Sequence, residues 1–224
     1  MITVVGGTKG GSGKSTVATN LAVMLAAAGR DVLLVDADDQ ETSTDFTNLR
    51  NETRPGGAGY TCVALTGRAV MTETKRLAPK YGEVIIDTGG RDTVSQRAAL
   101  AVCDIYLIPF APRSFDVWTL DKVASLVEEA RAVNPDFRAL AFLNRTDPRG
   151  SDNVDAAQLI SSKPELKFIE AALGNRKAFA NAAAAGLAVP ELRPIDSKAV
   201  EEIGILFGYL YDIEKVSKLH RVGI

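Results

Sequence analysis

The chain has 224 residues, of which 46% are hydrophobic and 24% are charged, enough for one α/β domain with a well-developed core. Its formal net charge of −2 excludes a basic field over the whole molecule, so any contact with nucleic acid must come from a local patch. The 2 cysteines, Cys62 and Cys103, are too few and too far apart for a disulfide framework or a metal knuckle. With no signal peptide and no apolar run long enough to span a bilayer, the sequence predicts a soluble cytoplasmic protein.

A glycine-rich loop, residues 8–16, lies between the first predicted strand and the first predicted helix. The strand covers residues 2–5, and the helix covers residues 17–28 and ends at Gly29. Glycines let successive backbone N–H groups turn toward an anion, and the start of the helix points its positive dipole at the same place. This context predicts a phosphate-binding loop; the weaker alternative is a glycine-rich turn with a chance Gly-Lys-Ser.

Two lysines flank the glycines of this loop. Lys14 is expected to reach the β- and γ-phosphates of a nucleotide, and the Ser15 hydroxyl is expected to ligate Mg²⁺. The general pattern places a glycine where Thr8 stands, and Lys9 then opens the loop. Residues 9–15 resemble the signature of the ParA/MinD family of deviant-loop ATPases, Lys-Gly-Gly-x-Gly-Lys-[Ser/Thr], at every fixed position.

That resemblance gives Lys9 a role across a dimer. In the family, the first lysine reaches the phosphates of the ATP bound to the partner subunit, so Lys9 implies a nucleotide-sandwich homodimer. A solvated lysine in a loop is the alternative.

Carboxylates follow two further apolar strands. The strand at residues 32–36 ends in Asp-Ala-Asp-Asp-Gln, which resembles the family's Asp-x-Asp-Pro-Gln motif with Asp39 in place of proline. By that resemblance Asp38 orients or activates the attacking water and Asp36 supports the Mg²⁺ shell; the alternative is a pair of helix-capping aspartates. The strand at residues 83–87 ends in Asp87, which is expected to hold Mg²⁺ as a Walker-B aspartate.

Small residues after Asp87 form a presumed switch. Gly89 and Gly90 would let the backbone approach the γ-phosphate and move when it leaves, and Arg91 is expected to face solvent. Residues 41–60 are polar and glycine-rich, residues 54–59 are expected to be the least ordered, and the surface over residues 45–59 is expected to be mobile or to respond to nucleotide.

The second half of the chain carries three further predictions. Residues 108–116 are similar to small plasmid-type ParA proteins in a region that borders the family's dimer interface, and Trp118, in a helix predicted over residues 115–133, is expected to pack in the core rather than contact a partner. Asn144 follows a predicted strand; in related ATPases an asparagine there contacts adenine, and a simple turn asparagine is the alternative.

The last segments complete the resemblance. The stretch from Arg176 to Glu191 resembles the ParA C-terminal region, and a final helix is predicted over residues 197–219. Its end is basic, with Lys215, Lys218, His220 and Arg221. This end is interpreted first as solvated, second as part of a DNA patch and last as a membrane tail of the MinD type.

The resemblance spans essentially the whole chain and implies one domain, residues 1–224. The implied fold is α/β, with a mostly parallel twisted sheet flanked by helices, as in P-loop NTPases of the deviant Walker-A type. The implied function is a ParA-like ATPase for DNA partition or cargo positioning that uses ATP and Mg²⁺. Its ATP-dependent sandwich dimer would bind non-specific DNA on the bacterial nucleoid, and hydrolysis stimulated by a ParB-like or small basic centromere-binding adaptor would release it.

Other uses of the same fold remain open. A MinD-like membrane-cycling regulator without DNA binding is the principal alternative, although no stable membrane association is expected. Small-molecule ligases form a third class, and iron-protein reductases are disfavoured because neither cysteine resembles a cluster ligand. The predicted catalytic residues are Lys9, Lys14 and Asp38; the nucleotide-binding residues are Lys9, Gly10, Gly11, Ser12, Gly13, Lys14, Ser15, Thr16 and Asn144; and the metal-binding residues are Ser15, Asp36 and Asp87.

Overall fold

The computed structural model describes residues 1–112, 117–147 and 152–211, and a sheet of 8 strands forms its centre. The strands are β1 (Ile2–Val5), β2 (Val32–Ala37), β3 (Thr61–Ala64), β4 (Glu83–Thr88), β5 (Ile105–Phe110), β6 (Arg138–Thr146), β7 (Lys167–Phe168) and β8 (Leu173–Gly174). The helices are α1 (Lys14–Ala27), α2 (Thr42–Thr53), α3 (Ala69–Leu77), α4 (Val94–Leu100), α5 (Val117–Arg131), α6 (Asp152–Ser161), α7 (Lys177–Ala184) and α8 (Ser197–Tyr211). Short 3₁₀ turns cover Ala78–Lys80 and Val189–Glu191.

The strand pairs are parallel, in the order β3-β2-β4-β1-β5-β6-β7, and β8 also pairs with β6. Strands β2, β4 and β5 are buried along their whole length because helices cover both faces of the sheet. Helices α1 and α8 pack on one face, and α3, α4, α5 and α6 pack on the other. The result is the predicted single-domain α/β fold, with a mostly parallel sheet flanked by helices.

The register of the central strands brings the predicted site residues to one edge of the sheet. Asp87 in β4 lies directly beside Val5 in β1 on one side and Asp36 in β2 on the other. The glycine loop leaves the same end of β1. In an open parallel sheet, the carboxyl ends of neighbouring strands form the crevice in which ligands bind.

Residues 41–60, for which composition predicts a polar, glycine-rich connection, contain a helix, α2. Its buried side chains are Ser43, Phe46, Thr47 and Arg50, spaced as one helical face. Three of these four are polar, so a search for apolar periodicity does not detect the helix. The glycine-rich turn after α2 is attached to the helix by a hydrogen bond, in which the Ala58 N–H donates to Asn51 Oδ1 at 2.7 Å.

The prediction that Trp118 packs in the core is wrong, since its side chain is 79% exposed. Leu120 and Val123 are buried in the hydrophobic core, so they define the side of α5 that faces it. At 3.6 residues per turn, a position two residues before Leu120 lies about 200° around the helix from it and faces away.

The C-terminal part follows the prediction as far as it is described. Two short strands, β7 and β8, precede α7, and α8 covers the first part of the predicted final helix. The basic end at Lys215, Lys218, His220 and Arg221 lies outside the described residues. Among the helices described, none has the length and apolar character needed to cross a bilayer.

Candidate active site

The loop between β1 and α1 has the backbone expected for anion binding. Gly11 and Gly13 have φ of 74° and 88°, a conformation that L side chains rarely adopt. Gly13 precedes α1, and no side chain in the described part of the chain caps its first turn. The N–H groups of that turn are therefore available to an anion, and the helix dipole favours a negative charge there.

Lys14, the first residue of α1, is buried and directed back into the loop. Its Nζ donates to the Lys9 carbonyl at 2.9 Å. Burial lowers the pKa of Lys14, whereas the nearby charges of Asp87 and then Asp38 raise it, and the net direction is downward. A buried ammonium that lacks full charge compensation would gain from a phosphate in the loop. Lys9 itself is half-buried at the start of the loop.

Asp87, at the end of β4, is completely buried. The Ser43 hydroxyl donates to its Oδ2 at 2.7 Å, while Oδ1 has no hydrogen-bond partner among the described residues. The pKa of Asp87 is raised to about 7 overall: burial raises it most, the Ser15 and Ser43 hydroxyls lower it, Asp36 raises it and Lys14 lowers it. A buried carboxylate oxygen without a partner, near a serine hydroxyl, is a donor set that fits Mg²⁺.

Asp36 lies beside Asp87 but uses both of its carboxylate oxygens locally. Oδ1 accepts from the Asp38 N–H at 3.2 Å, and Oδ2 accepts from the Thr44 N–H in the first turn of α2 at 2.8 Å. The contacts of Asp36 thus match the helix-capping alternative. Its share in a magnesium shell stays a prediction.

Asp38 faces the turn that follows β4. A Cβ added to Gly89 would lie 3.1 Å from Asp38 Oδ1, and one added to Gly90 would lie 2.7 Å from both N and Cα of Gly10. These glycines allow the turn to pack directly against the phosphate loop and the Asp38 carboxylate. Arg91, the next residue, is exposed as predicted.

Asn144 and Arg145, at the end of β6, both contact the loop. Asn144 is buried, and its Nδ2 donates to the Ser12 carbonyl at 2.7 Å. The Arg145 guanidinium donates to the Gly11 carbonyl at 2.9 Å. The adenine contact of Asn144 stays a prediction, because in this structure its amide nitrogen binds the loop.

The structure thus gathers the sequence-predicted residues at one edge of the sheet. Lys14 and Asp87 are close enough to shift each other's pKa, and Asp38 acts on Lys14 in the same way. Ser43 and Arg145 are two site residues that sequence reasoning missed. Ser43 was missed because helix α2, which positions it, was not predicted. Arg145 was missed because no residue pattern indicates its backbone conformation.

Comparison with known proteins places the chain among nucleotide-binding proteins. Residues 3–189 match the profile of the CobQ/CobB/MinD/ParA nucleotide binding domain. The chain is 31% identical over 196 residues to the maintenance of carboxysome distribution protein A of Gloeobacter kilaueensis, covering 86% of this chain and 85% of the relative. It is 28% identical over 196 residues to the protein of the same name from Halothiobacillus neapolitanus, covering 87% of this chain and 89% of the relative.

The fold is also similar to solved structures. An ATP complex of a McdA variant from Cyanothece superposes with a TM-score of 0.71 at 17% identity, covering 100% of this chain and 97% of the other. At this identity the match supports the shared fold only.

Proposed function

Because the chain belongs to the CobQ/CobB/MinD/ParA nucleotide-binding family, we propose that it is a Mg²⁺-dependent ATPase that positions a cellular cargo. One observation carries the proposal. The Lys14 ammonium, which binds only a neutral carbonyl among the described residues, and an Asp87 oxygen with no hydrogen-bond partner among them lie near the uncapped start of α1. A Mg²⁺–triphosphate would supply the phosphate for the first and the cation for the second.

The described residues divide the work of hydrolysis. The loop N–H groups and Lys14 would bind the β- and γ-phosphates, while Ser15 and Asp87 would hold Mg²⁺, which neutralises phosphate charge when bound. Asp38 would orient the attacking water and take up its proton as the bond to the γ-phosphate breaks, giving ADP and phosphate. Gly89 and Gly90 would let the turn after β4 follow the γ-phosphate.

A second subunit would complete the site. We assign Lys9 to the triphosphate of the partner subunit, as the resemblance in the loop implies. The exposed Trp118 supports an interface here, because α5 begins beside the loop, where Thr8 Oγ1 lies 3.5 Å from the carbonyl oxygen of Thr119. Covering such a side chain would bury a large apolar area.

The named relatives support one choice of cargo. Two of them are maintenance of carboxysome distribution proteins, which favours a protein compartment over a plasmid. In the proposed cycle, the ATP dimer binds DNA without sequence preference on the bacterial nucleoid, and an adaptor on the cargo stimulates hydrolysis. The DNA contact would come from a local basic patch, since the net charge of the chain is −2.

A binding experiment separates this function from membrane cycling. The Asp38→Ala variant, loaded with Mg²⁺ and ATP to block turnover, is mixed with duplex DNA of arbitrary sequence or with anionic liposomes. We expect ATP-dependent DNA binding that weakens steeply as salt rises, and no sedimentation with liposomes. Lys14→Ala is the control that should bind neither. ATP-dependent binding to liposomes alone would overturn the proposal in favour of a MinD-like regulator.

A further inference from the structure

Arg145 has a backbone conformation that a side chain normally avoids. Its φ is 58°, although it is not a glycine, and the pairing of β6 with β8 is irregular between Asn144 and Thr146. A strained conformation persists only when the surrounding contacts hold it, and such positions concentrate at functional sites.

The side chains of Asn144 and Arg145, at this strained position, both donate to the phosphate loop. The Asn144 amide binds the Ser12 carbonyl, and the Arg145 guanidinium binds the carbonyl of the preceding residue, Gly11. Asn144 Oδ1 also accepts from the Arg145 N–H at 2.9 Å, so the two residues form one hydrogen-bonded unit. The fit is tight, because a Cβ on Gly13 would lie 2.4 Å from Asn144 Nδ2.

Holding these two carbonyls fixes the direction of two N–H groups. In a planar trans peptide, the C=O of one residue and the N–H of the next point in opposite directions. Since the carbonyls of Gly11 and Ser12 point toward β6, the N–H groups of Ser12 and Gly13 must point away from it. These N–H groups are the ones that a phosphate-binding loop offers to its anion.

We propose that Asn144 and Arg145 form a loop brace that pre-organises these N–H groups for the triphosphate, whatever base the nucleotide carries. Arg145 is then a positioning residue, and its strained backbone is the cost of placing its guanidinium on Gly11. This inference rests on the proposed ATPase function. It differs from an adenine contact at Asn144, which would affect only the choice of base.

Three substitutions at Arg145 separate the effect of its hydrogen bond to Gly11 from the effect of its strained backbone. Affinities for ATP, GTP and inorganic triphosphate, each with Mg²⁺, are measured by titration calorimetry. Arg145→Ala and Arg145→Gly should weaken all three by a common factor, roughly fivefold, because both lose the hydrogen bond to the loop. Arg145→Gly should melt at a higher temperature than Arg145→Ala, because glycine tolerates this φ. Arg145→Lys should recover part of the affinity, since an ammonium can also donate to a carbonyl.

The control is Arg138→Ala, which removes the same charge from the exposed start of the same strand and should leave all three affinities unchanged. Asn144→Ala should weaken inorganic triphosphate as much as ATP. A loss confined to ATP in that variant, or an Arg145→Ala protein that binds inorganic triphosphate as the wild type does, would overturn the brace. If the wild type binds none of the three ligands, both the proposed ATPase function and the loop brace are wrong.

Discussion

At the scale of single residues, the site is built from groups that the fold leaves incompletely satisfied. Asp87 has one carboxylate oxygen bound to Ser43 and one without a hydrogen-bond partner among the described residues, and its pKa is raised to about 7, chiefly by burial. Such an arrangement lowers the stability of the empty protein. Binding of a cation and a phosphate together removes this unfavourable energy. The empty protein is therefore less stable than it could be, and the ligand binds more tightly.

A substitution at Asp87 should therefore have opposite effects on the stability of the empty protein and on its ATP turnover. In Asp87→Asn, the carboxamide keeps the acceptor for Ser43 but removes the buried charge and the cation ligand. The nucleotide-free variant should unfold at the wild-type temperature or slightly above it in differential scanning calorimetry. Its ATP turnover with Mg²⁺ should fall by about 100-fold or more. Asp39→Asn, the same change at an exposed aspartate, is the matched control, and wild-type turnover in Asp87→Asn would contradict the metal role.

The convergence of most candidate site residues at one edge of the sheet could be predicted from sequence because of one regularity. Parallel strands end at one edge of the sheet, so aspartates such as Asp38 and Asp87 at the ends of apolar runs are expected to converge. The contact between Asn144 and the Ser12 carbonyl was not predicted, because the resemblance favours an adenine contact at this asparagine and the local pattern offers only a turn as the alternative. Arg145 was missed because a positive φ in a non-glycine residue depends on long-range contacts rather than on local pattern.

At the scale of elements, α2 couples the site to the C-terminal part of the chain. Its first turn carries Ser43, and its third carries Arg50, whose guanidinium makes paired hydrogen bonds of 2.7 and 2.9 Å to Glu191. Arg50 also donates to the carbonyls of Ala58 and Gly186. The partly buried Arg50–Glu191 pair therefore holds α2 in place, and with it the hydroxyl that binds Asp87.

Removing one partner of this pair should be costly. Glu191→Ala leaves the Arg50 charge buried and should lower the free energy of unfolding by roughly 2–4 kcal/mol in urea titrations. The comparison is Glu73→Ala, which breaks an exposed pair with Arg76 on one face of α3 and should cost under about 0.5 kcal/mol. Equal losses in the two variants would show that Glu191 does not tether α2.

The same pair predicts a dependence on pH. Burial raises the pKa of Glu191. The hydrogen bonds from Arg50 and Ala188 and the charges of Arg50 and Arg54 together lower this pKa by more than burial raises it, so the net shift is downward. The folded protein therefore binds fewer protons at this site than the unfolded chain, and the stabilisation is complete above the ordinary glutamate pKa. It is lost as the pH falls through the lowered value.

The stability gap between wild type and Glu191→Gln measures this dependence. The gap in unfolding free energy should be largest near about pH 6 and should shrink below about pH 4, because protonation then removes the same charge from the wild type. Taking the difference between the two proteins cancels the titration of other carboxylates. A gap that stays constant over this range would contradict the assignment.

At the scale of the whole molecule, the order and type of the main strands follow from apolar runs that end in polar residues. Burial of β2, β4 and β5 on both faces gives continuous apolar runs, which is why they could be recognised. Helix α2 was missed because its buried face is largely polar. The prediction for Trp118 is wrong because the position of a residue relative to Leu120 on α5, rather than its apolar character, decides whether it faces the core.

The exposed Trp118 and the two lysines of the loop lead to one quaternary prediction. In the proposed dimer, each subunit would supply Lys14 to its own nucleotide and Lys9 to the nucleotide of its twin, so the site should be complete only in a dimer that contains ATP. This requirement would make assembly and turnover depend on the same ligand.

Sedimentation velocity of the Asp38→Ala protein with Mg²⁺ and ATP tests this account most directly. We predict a dimer with ATP, a monomer with ADP, and a monomer in both conditions when Lys9→Ala is added to the same protein. A chain that binds ATP yet sediments as a monomer in every case, or a dimer that forms equally well without Lys9, would contradict it.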